Sequence, residues 1–237
     1  MELSQPTIIA NNLASIQDKI DQAAQRSGRA SSEVCLIAVT KYVDAELTRM
    51  VIEAGCQHLG ESRPQQLWEK ADVLSELKPH WHMIGHLQRN KVRRTLPWLS
   101  CLHSIDSPRL LKTLHDECER ADVKVRGLLE VNVSGDEAKT GMSEDDAKRL
   151  MDQLGEVPRV QIIGLMGMAS RDGNLQSAQR DFARLREIRD RLQTLAGSEI
   201  ELRELSMGMS HDFAEAIAEG STMVRIGSRL FDGILQR

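Results

Sequence analysis

Short runs of apolar residues recur along the chain and alternate with longer amphipathic segments. Their length and their content of aliphatic and β-branched residues are typical of strands. The predicted strands cover about residues 34–40, 58–60, 81–84, 101–105, 125–133, 159–168, 202–206 and 222–226. Because most of these runs are almost continuously apolar, we expect a parallel sheet that is buried on both faces.

Helical spacing of apolar residues begins before the first strand. Leu13, Ile16, Ile20 and Ala24 share one face of a helix predicted over residues 11–27, and Gly28 is its stop signal. Further helices are predicted over about 45–54, 64–77, 87–96, 108–118, 144–154, 175–195, 212–219 and 230–235. Every predicted strand is therefore followed by a helix.

This alternation predicts an α/β fold, a single (β/α)8 barrel of the TIM type with an extra N-terminal helix. The chain of 237 residues is close to the usual length of such a barrel. It has no linker rich in Pro, Gly or Ser that would divide it, so we expect one domain over residues 1–237. A doubly wound open sheet is the alternative, since the second predicted strand is weak.

Composition narrows the classes of partner. Hydrophobic residues make up 41% and charged residues 28% of the chain, which is typical of an ordered globular protein. The net charge of -4 gives no basic surface for nucleic acid. No apolar run approaches the roughly 18 residues that span a bilayer, and the N-terminus does not resemble a signal peptide. We therefore expect a cytoplasmic protein without nucleic-acid or membrane partners.

The cysteines predict neither disulfides nor a metal site. The four residues, Cys35, Cys56, Cys101 and Cys118, are widely spaced and form no Cys-x-x-Cys pair. Reduced thiols are the expected state in this composition. No His or carboxylate cluster has the spacing of metal ligands, so no metal is expected.

Lys41 is the candidate reactive residue, because it ends the first predicted strand after a run without charge. Active sites of these barrels lie at the carboxyl ends of the strands. A lysine at a strand end is usually a solvated surface charge. An amine that is partly desolvated at a barrel mouth, however, can have its pKa lowered enough to attack an aldehyde.

A phosphate site is predicted after strands 7 and 8, where barrels of this type commonly bind phosphate. The turn at residues 207–209, which ends on Met209, and the turn at Gly227 and Ser228 both precede predicted helices. Backbone N–H groups at such positions attract anions, and Ser210 is the expected N-cap. Each turn alone would be explained by turn geometry. Because strand 8 neighbours strand 1 in a closed barrel, the two turns lie next to Lys41. A phosphate site beside a reactive amine suggests a Schiff base with a phosphorylated aldehyde.

Arg225 precedes the second turn within strand 8, and its side chain needs a partner. It can pair with a carboxylate such as Glu61 or Asp106, or it can face the ring of a ligand. His82 and Lys91 are weaker candidates, interpreted as a satisfied core histidine and a surface lysine.

The motifs at these positions together resemble a known family. They are residues 38–41, 60–61, 81–91, 132–135 with 139–141, 164–168, 206–212 and 224–227. They are similar to those of the pyridoxal phosphate homeostasis protein family, over about residues 34–233. The resemblance implies a barrel similar to the N-terminal domain of bacterial alanine racemase, with pyridoxal 5'-phosphate held as an aldimine.

The resemblance also implies roles for individual residues. Lys41 corresponds to the aldimine lysine, and Ser210, Gly227 and Ser228, next to Met209, correspond to the phosphate ligands. Arg225 is similar to the arginine that faces the pyridine nitrogen. Such an arginine disfavours protonation of that nitrogen and makes the cofactor a weaker electron sink.

The sequence departs from the family pattern at two places. Ser62 stands where the family usually has Asn after Gly-Glu, so a polar contact near the cofactor is expected to change. Residues 42–44, Tyr-Val-Asp, replace the usual sequence after the lysine. The loop beside Lys41 is therefore expected to differ in shape and charge.

The resemblance implies a protein of intracellular pyridoxal phosphate homeostasis, which buffers or delivers the cofactor without robust catalysis. It also implies a monomer, with apo-enzymes that depend on the cofactor as partners. A racemase would require a second domain and a tyrosine base from a partner subunit. This sequence ends soon after strand 8, and its only tyrosine, Tyr42, is expected on the side opposite Lys41 if the strand continues.

Three alternatives stay open at this stage. The protein could be a racemase-like enzyme with Lys41 as the acid and base, or a Schiff-base aldolase that acts on a phosphorylated sugar. It could also be an interaction protein that retains only the barrel scaffold and binds no cofactor.

Overall fold

The computed structural model describes residues 3–135, 140–170, 173–197 and 200–235, in which parallel strands form one closed barrel. Each strand pairs with its neighbours in chain order, and β8 pairs with β1. The strands are β1 Cys35–Val39, β2 His58–Glu61, β3 His80–Met83, β4 Leu99–Ile105, β5 Val125–Glu130, β6 Val160–Met166, β7 Glu204–Ser206 and β8 Met223–Ile226. The predicted (β/α)8 barrel is confirmed, and the open doubly wound sheet is wrong.

Helices alternate with the strands as predicted, and the predicted extra helix precedes β1. They are α1 Gln5–Arg26, α2 Ala45–Glu53, α3 Pro64–Val73, α4 Val92–Thr95, α5 Pro108–Ala121, α6 Glu144–Met151, α7 Leu175–Leu195 and α8 Phe213–Ala218. The extra helix α1 buries Ile9, Ile16 and Ile20 and packs against α8. It begins earlier than predicted, because Pro6 stands in its first turn, where a missing N–H donor has no cost.

Two predicted helices are shorter than their apolar spacing suggested. The segment predicted over residues 87–96 contains only α4, preceded by a 3-10 turn at Arg89–Lys91, and Pro97 follows in another 3-10 turn. Proline removes a donor and disfavours helix in the residue before it, which limits α4. The last predicted helix, residues 230–235, is a 3-10 helix over Ser228–Phe231.

Strand β5 also ends earlier than predicted. It stops at Glu130, and Val131 forms an isolated parallel bridge with Met142. The apolar residues Val131 and Val133 are buried in the main hydrophobic core although they lie beyond the strand, and Val131 N still donates to Met166 O of β6 at 2.9 Å. Their apolar character therefore reflects burial and not strand structure.

The barrel interior contains both apolar and polar side chains. Ile37, Cys101, Leu128, Met166 and Met223 form a buried cluster that is separate from the core between strands and helices. Four buried polar residues lie on β3, β4, β7 and β8, and two of them alternate with cluster members along one strand, His103 with Cys101 and Arg225 with Met223. The other two are His82 and Ser206. The interior is thus filled with apolar and polar side chains.

Strands β6 and β7 approach each other closely at Gly164. A Cβ atom at this position would collide with the backbone oxygen of Glu204, to which Gly164 lies opposite. Glycine is therefore required for barrel closure here. Among the described residues, no helix combines the length and the apolar character that crossing a membrane requires.

Candidate functional site

Lys41 lies two residues beyond β1, at the carboxyl end of the barrel. Val39 is the last residue of β1, and Lys41 lies in the turn that leads to α2. Its half-buried side chain lines a cavity of about 550 Å³, together with Met168 and Met209. Because β1 pairs with β8, Lys41 and the residues after β8 lie at the same end of neighbouring strands.

Tyr42 lies beside Lys41 and not on the opposite side. The expectation of opposite sides assumed a continuous strand, but β1 ends at Val39 and both residues belong to the following turn. Lys41 Nζ lies 4.9 Å from the centroid of the Tyr42 ring, and Tyr42 is 79% exposed. The departure from the family pattern at residue 42 thus places an exposed aromatic ring against the lysine.

A buried ion pair fixes the end of β1. Lys70 Nζ on α3 donates to Thr40 O at 2.7 Å and to Glu61 Oε1 at 2.6 Å. Thr40 Oγ1 donates to the same carboxylate oxygen at 2.6 Å, while Glu61 Oε2 is buried without a partner among the described residues. The residue that precedes Lys41 is therefore held by a charged donor that the sequence analysis did not identify.

The turns after β7 and β8 are joined by Ser210. Its hydroxyl oxygen accepts from the backbone N–H of Gly227 at 3.3 Å, and Arg225 N donates to Gly208 O at 3.0 Å. Ser228 is exposed and begins the 3-10 helix that follows. The structure thus brings Ser210, Gly227 and Ser228 together at the predicted end of the barrel.

The prediction that Ser210 is an N-cap is wrong. The N-cap residue of α8 is Asp212, and its Oδ1 accepts from the backbone N–H of Met209 at 2.6 Å. Asp212 closes this turn as a carboxylate acceptor, and so the Ser210 hydroxyl can reach the neighbouring turn. Met209 is 40% exposed at the rim.

Arg225 is buried inside the barrel and pairs with neither Glu61 nor Asp106 in the described contacts. Its Nη1 donates to Ser206 Oγ at 2.6 Å and its Nη2 to Gly167 O at 3.1 Å. Burial lowers the pKa of Arg225 to about 10, and Asp212 and Glu130 oppose this shift. The guanidinium therefore remains positively charged at neutral pH, with neutral acceptors as its partners.

His82 is a satisfied core histidine, as interpreted from the sequence. It is 2% exposed, and its two ring nitrogens contact His58 at 3.0 Å and His103 at 2.9 Å. The possible ligand atoms of His82, Cys101 and His103 lie within 4.8 Å of one another, which is close enough to hold a metal ion. The sequence spacing of these residues did not indicate a metal site. The imidazole nitrogens already have partners, and burial raises the pKa of the Cys101 thiol to about 12. This geometry favours hydrogen bonding over metal binding.

The cysteines are free thiols, as predicted. Burial raises the pKa of Cys35 to about 12 and that of Cys56 to about 11. Thiols with such pKa values carry little thiolate at neutral pH. They are therefore poor nucleophiles.

Neither Ser62 nor Lys91 has a described contact with Lys41 or with the turns after β7 and β8. Ser62 is half-buried and its backbone packs against Gly85, and no hydrogen bond from its side chain is described. Lys91 lies on the 3-10 turn Arg89–Lys91, and its Nζ is 5.7 Å from the centroid of the Trp68 ring. Lys139, part of one resembling motif, lies outside the described residues.

Comparisons with known proteins agree with the barrel fold. The family of the alanine racemase N-terminal domain matches residues 11–233. A pyridoxal phosphate homeostasis protein from Aquifex aeolicus is 36% identical over 219 residues, which cover 92% of this chain and 95% of the relative. The protein of the same name from Pseudomonas aeruginosa is 34% identical, with 94% of each chain covered.

Solved structures show the same barrel. PipY from Synechococcus elongatus, solved with PLP bound, is 35% identical and superposes with a TM-score of 0.83 over 94% of this chain and 99% of that chain. Alanine racemase from Corynebacterium glutamicum is 15% identical with a TM-score of 0.69 over 95% of this chain and 60% of that chain, and it shares the fold alone. The chain therefore belongs to the alanine racemase N-terminal domain family and to the family of pyridoxal phosphate homeostasis proteins.

Proposed function

We propose that this protein binds pyridoxal 5'-phosphate at the carboxyl end of the barrel and takes part in the homeostasis of this cofactor. The observation that carries the proposal is the position of Lys41 beside β8, whose Arg225 and following turn face the same end of the barrel. The relatives named pyridoxal phosphate homeostasis protein and the PLP-bound PipY structure support the same ligand.

The residues present fit this cofactor. The 550 Å³ cavity gives Lys41 access to a ligand of small-molecule size. Gly208 has a φ of +89°, and a Cβ atom there would lie 2.6 Å from Ala216 Cβ, so only glycine allows the tight turn next to Ser210. Arg225 has five N–H donors, and its two described hydrogen bonds leave others for a ring nitrogen.

Lys41 would hold the cofactor covalently. When bound, pyridoxal 5'-phosphate supplies an aldehyde, which condenses with a lysine amine and releases water. Lys41 is half-buried at the cavity, and the Lys70 hydrogen bond to Thr40 O holds the backbone next to it. Lys70 itself is engaged by Glu61, so Lys41 is the better nucleophile of the two.

Ser210, Gly227 and Ser228 would bind the phosphate, with Met209 at the rim. The Ser210 hydroxyl joins the two turns, and backbone N–H groups at the start of a helical turn favour an anion. Asp212 is close to this site, because it accepts from Met209 N. The negative charge of Asp212 would repel a phosphate. The hydrogen bond from Met209 N holds the carboxylate within its own turn and so limits this effect.

Arg225 would face the pyridine nitrogen and restrain the chemistry of the ring. A guanidinium that stays charged disfavours a proton on an adjacent ring nitrogen, and an unprotonated ring is a weaker electron sink. This argument supports storage or delivery of the cofactor over robust catalysis. Ser62 would contribute at most a polar contact at the edge of the site.

Racemase-like turnover remains the alternative activity. Racemisation with two acid-base groups needs them on opposite faces of the substrate, but Lys41 and Tyr42 come from one turn and contact each other. They would thus approach a ligand from one side. Any such activity would use Lys41 as the acid and base.

The test is an absorption titration of the purified protein with pyridoxal 5'-phosphate. We expect a visible absorption band and saturable binding in the wild type, and no such band in Lys41→Ala. The control variant Lys91→Ala keeps Lys41 and should behave as the wild type does. Sustained racemisation of an amino acid, abolished in Lys41→Ala, would overturn the carrier function. Transfer of the cofactor to an apo-enzyme would support delivery. Monomeric state and cytoplasmic location are part of the same proposal.

A further inference from the structure

A chain of hydrogen bonds runs through the barrel interior from β2 to β8. His58 Nδ1 contacts His82 Nε2 at 3.0 Å, and His82 Nδ1 contacts His103 Nε2 at 2.9 Å. His103 Nδ1 contacts Ser206 Oγ at 2.8 Å, and Ser206 Oγ accepts from Arg225 Nη1 at 2.6 Å. We call these five residues the interior chain.

The interior chain has one direction, which Arg225 imposes. A guanidinium only donates, so Ser206 Oγ must accept from Arg225 and has its own proton to donate. Among the described residues, His103 Nδ1 is the acceptor that contacts this hydroxyl. His103 then carries its proton on Nε2 and donates to His82 Nδ1. By the same reasoning, His82 and His58 also carry their protons on Nε2.

The two ends of the interior chain lie at opposite ends of the barrel. Arg225 lies near the carboxyl end of β8, next to the candidate cofactor site. His58 is the first residue of β2, and it lines a cavity of about 570 Å³ with Cys35, Cys56 and Gln17 of α1. The chain therefore connects an opening at the amino end with the guanidinium at the other end.

We propose that Ser206, His103 and His82 are positioning residues that hold Arg225 toward the ring of its ligand and couple it to the protonation of His58. The part that concerns the ligand rests on the proposed function. The direction of the chain and its coupling to His58 are properties of the protein without any ligand.

Protonation of His58 would oppose the direction of the chain. A proton on His58 Nδ1 would face the N–H of His82 Nε2, and the chain would have to reverse as far as Ser206. After this reversal Ser206 Oγ would accept from both His103 and Arg225. Its own hydroxyl proton would then have no acceptor among these contacts and would face the N–H groups of Arg225. His58 is surrounded by the His80 ring at 4.8 Å, His82, Arg126 and the thiol of Cys56. Burial, followed by His80 and Arg126, lowers the pKa of His58 in agreement with this cost.

The first test is the tautomeric state of the histidines in the protein without cofactor. Nitrogen NMR of the imidazole rings at neutral pH should show His58, His82 and His103 with protonated Nε2 and unprotonated Nδ1. A proton on Nδ1 of any of the three would overturn the assigned direction. This measurement needs no variant and no ligand, so it is independent of the proposed function.

The second test is the pKa of His58 in Ser206→Ala. This change removes the hydroxyl that sets the direction, three hydrogen bonds away, without changing a charge. We expect the pKa of His58 to rise, and Ser206→Thr, which keeps a hydroxyl, to restore it. Ser221→Ala is the matched control, because Ser221 is a fully buried serine that donates to Met207 O outside the chain. An unchanged pKa in a folded Ser206→Ala variant would overturn the coupling.

The third test concerns the ligand. Loss of one hydrogen bond that holds Arg225 should weaken binding of pyridoxal 5'-phosphate about fivefold in Ser206→Ala. Equal affinity in Ser206→Ala would overturn the positioning role. Absence of binding to the wild type would overturn the proposed function and leave the first two tests intact.

Discussion

At the scale of single residues, the position of Lys41 depends on a lysine that is itself unavailable for chemistry. Lys70 Nζ is bonded to Thr40 O and Glu61 Oε1, and the side chains of the pair are 7% and 0% exposed. If one member of such a pair is removed, the charge of the other stays buried without a counter-ion. This destabilises the fold, because the low-dielectric interior does not replace the lost hydration. The pair therefore stabilises the end of β1 only as long as both members are present.

Lys70→Met should destabilise the protein by about 3–5 kcal/mol, because Glu61 would stay buried without its counter-ion. Urea unfolding measures the change. Lys112→Met is the control: Lys112 pairs with Asp116 at 3.0 Å on the surface, and its side chain is 73% exposed. We expect a loss below about 1 kcal/mol there. Equal effects of both substitutions would contradict the role of the buried pair.

Single residues differ in how well the sequence predicts them. Lys41 follows the uncharged strand β1, and Gly227 follows the last predicted strand, so their place at the strand ends could be inferred. Lys70 lies in an ordinary amphipathic helix, and no local pattern shows that its amine is buried. Ser210 was predicted as the N-cap of α8, but Asp212 has that position and Ser210 accepts from Gly227 N. Which of two nearby polar residues closes a turn depends on contacts with the neighbouring strand.

At the scale of elements, the turn after β7 depends on one glycine. Gly208 has a φ of +89°, and a Cβ atom there would lie 2.6 Å from Ala216 Cβ and 3.0 Å from Phe213 Cα. Both neighbours belong to α8, so a side chain would push the helix away from the barrel. The Ser210 contact to Gly227 depends on this packing.

Gly208→Ala should cost about 1–3 kcal/mol of stability from backbone strain and overpacking. It should also weaken binding of pyridoxal 5'-phosphate, because the phosphate turn would move. Thermal unfolding and absorption titration measure the two effects. Gly155→Ala is the control, since a Cβ atom there meets nothing within 4 Å. Wild-type binding by Gly208→Ala would show that the turn is not part of the site.

Elements were predicted well where apolar periodicity reflects the sheet. The strands and the long helices such as α7 lie where the pattern placed them. The pattern failed for α4, which 3-10 turns flank, and for the end of β5, where Val131 and Val133 are buried in the core outside a regular strand. Burial alone does not distinguish these structures from regular ones.

At the scale of the whole molecule, the barrel encloses neutral histidines. Burial lowers the pKa of His82 to about 3 and that of His103 well below its ordinary value, with neighbouring histidines and Arg225 adding to the shift. The folded protein therefore keeps both rings neutral under conditions in which the unfolded chain takes up protons. This makes the fold sensitive to acid.

Stability should fall as the pH drops from about 6.5 toward 3, because the unfolded state then binds more protons than the folded state. Above about pH 7 these histidines should make no pH-dependent contribution. Urea unfolding over this range measures the slope. His58→Gln should show a shallower acid loss than the wild type, because burial and the neighbouring His80 and Arg126 lower the pKa of His58. A stability that stays constant from pH 7 to 4 would contradict the account.

The closed barrel was predictable from the sequence, but its polar interior was not. Strand count and order determine which strands become neighbours, and so the pairing of β1 with β8 followed from the fold. The interior chain joins residues from five strands, and each of its histidines alone resembles a core residue. Their contacts depend on the register between strands, which one sequence does not reveal.

The most direct test of the central claim is borohydride reduction of the protein loaded with pyridoxal 5'-phosphate, followed by peptide mapping with mass spectrometry. The account predicts one modified lysine, Lys41, and no modification at that peptide in Lys41→Ala. Modification at Lys70, Lys91 or Lys139 in place of Lys41, or none at all in a protein that is saturated with the cofactor, would contradict it.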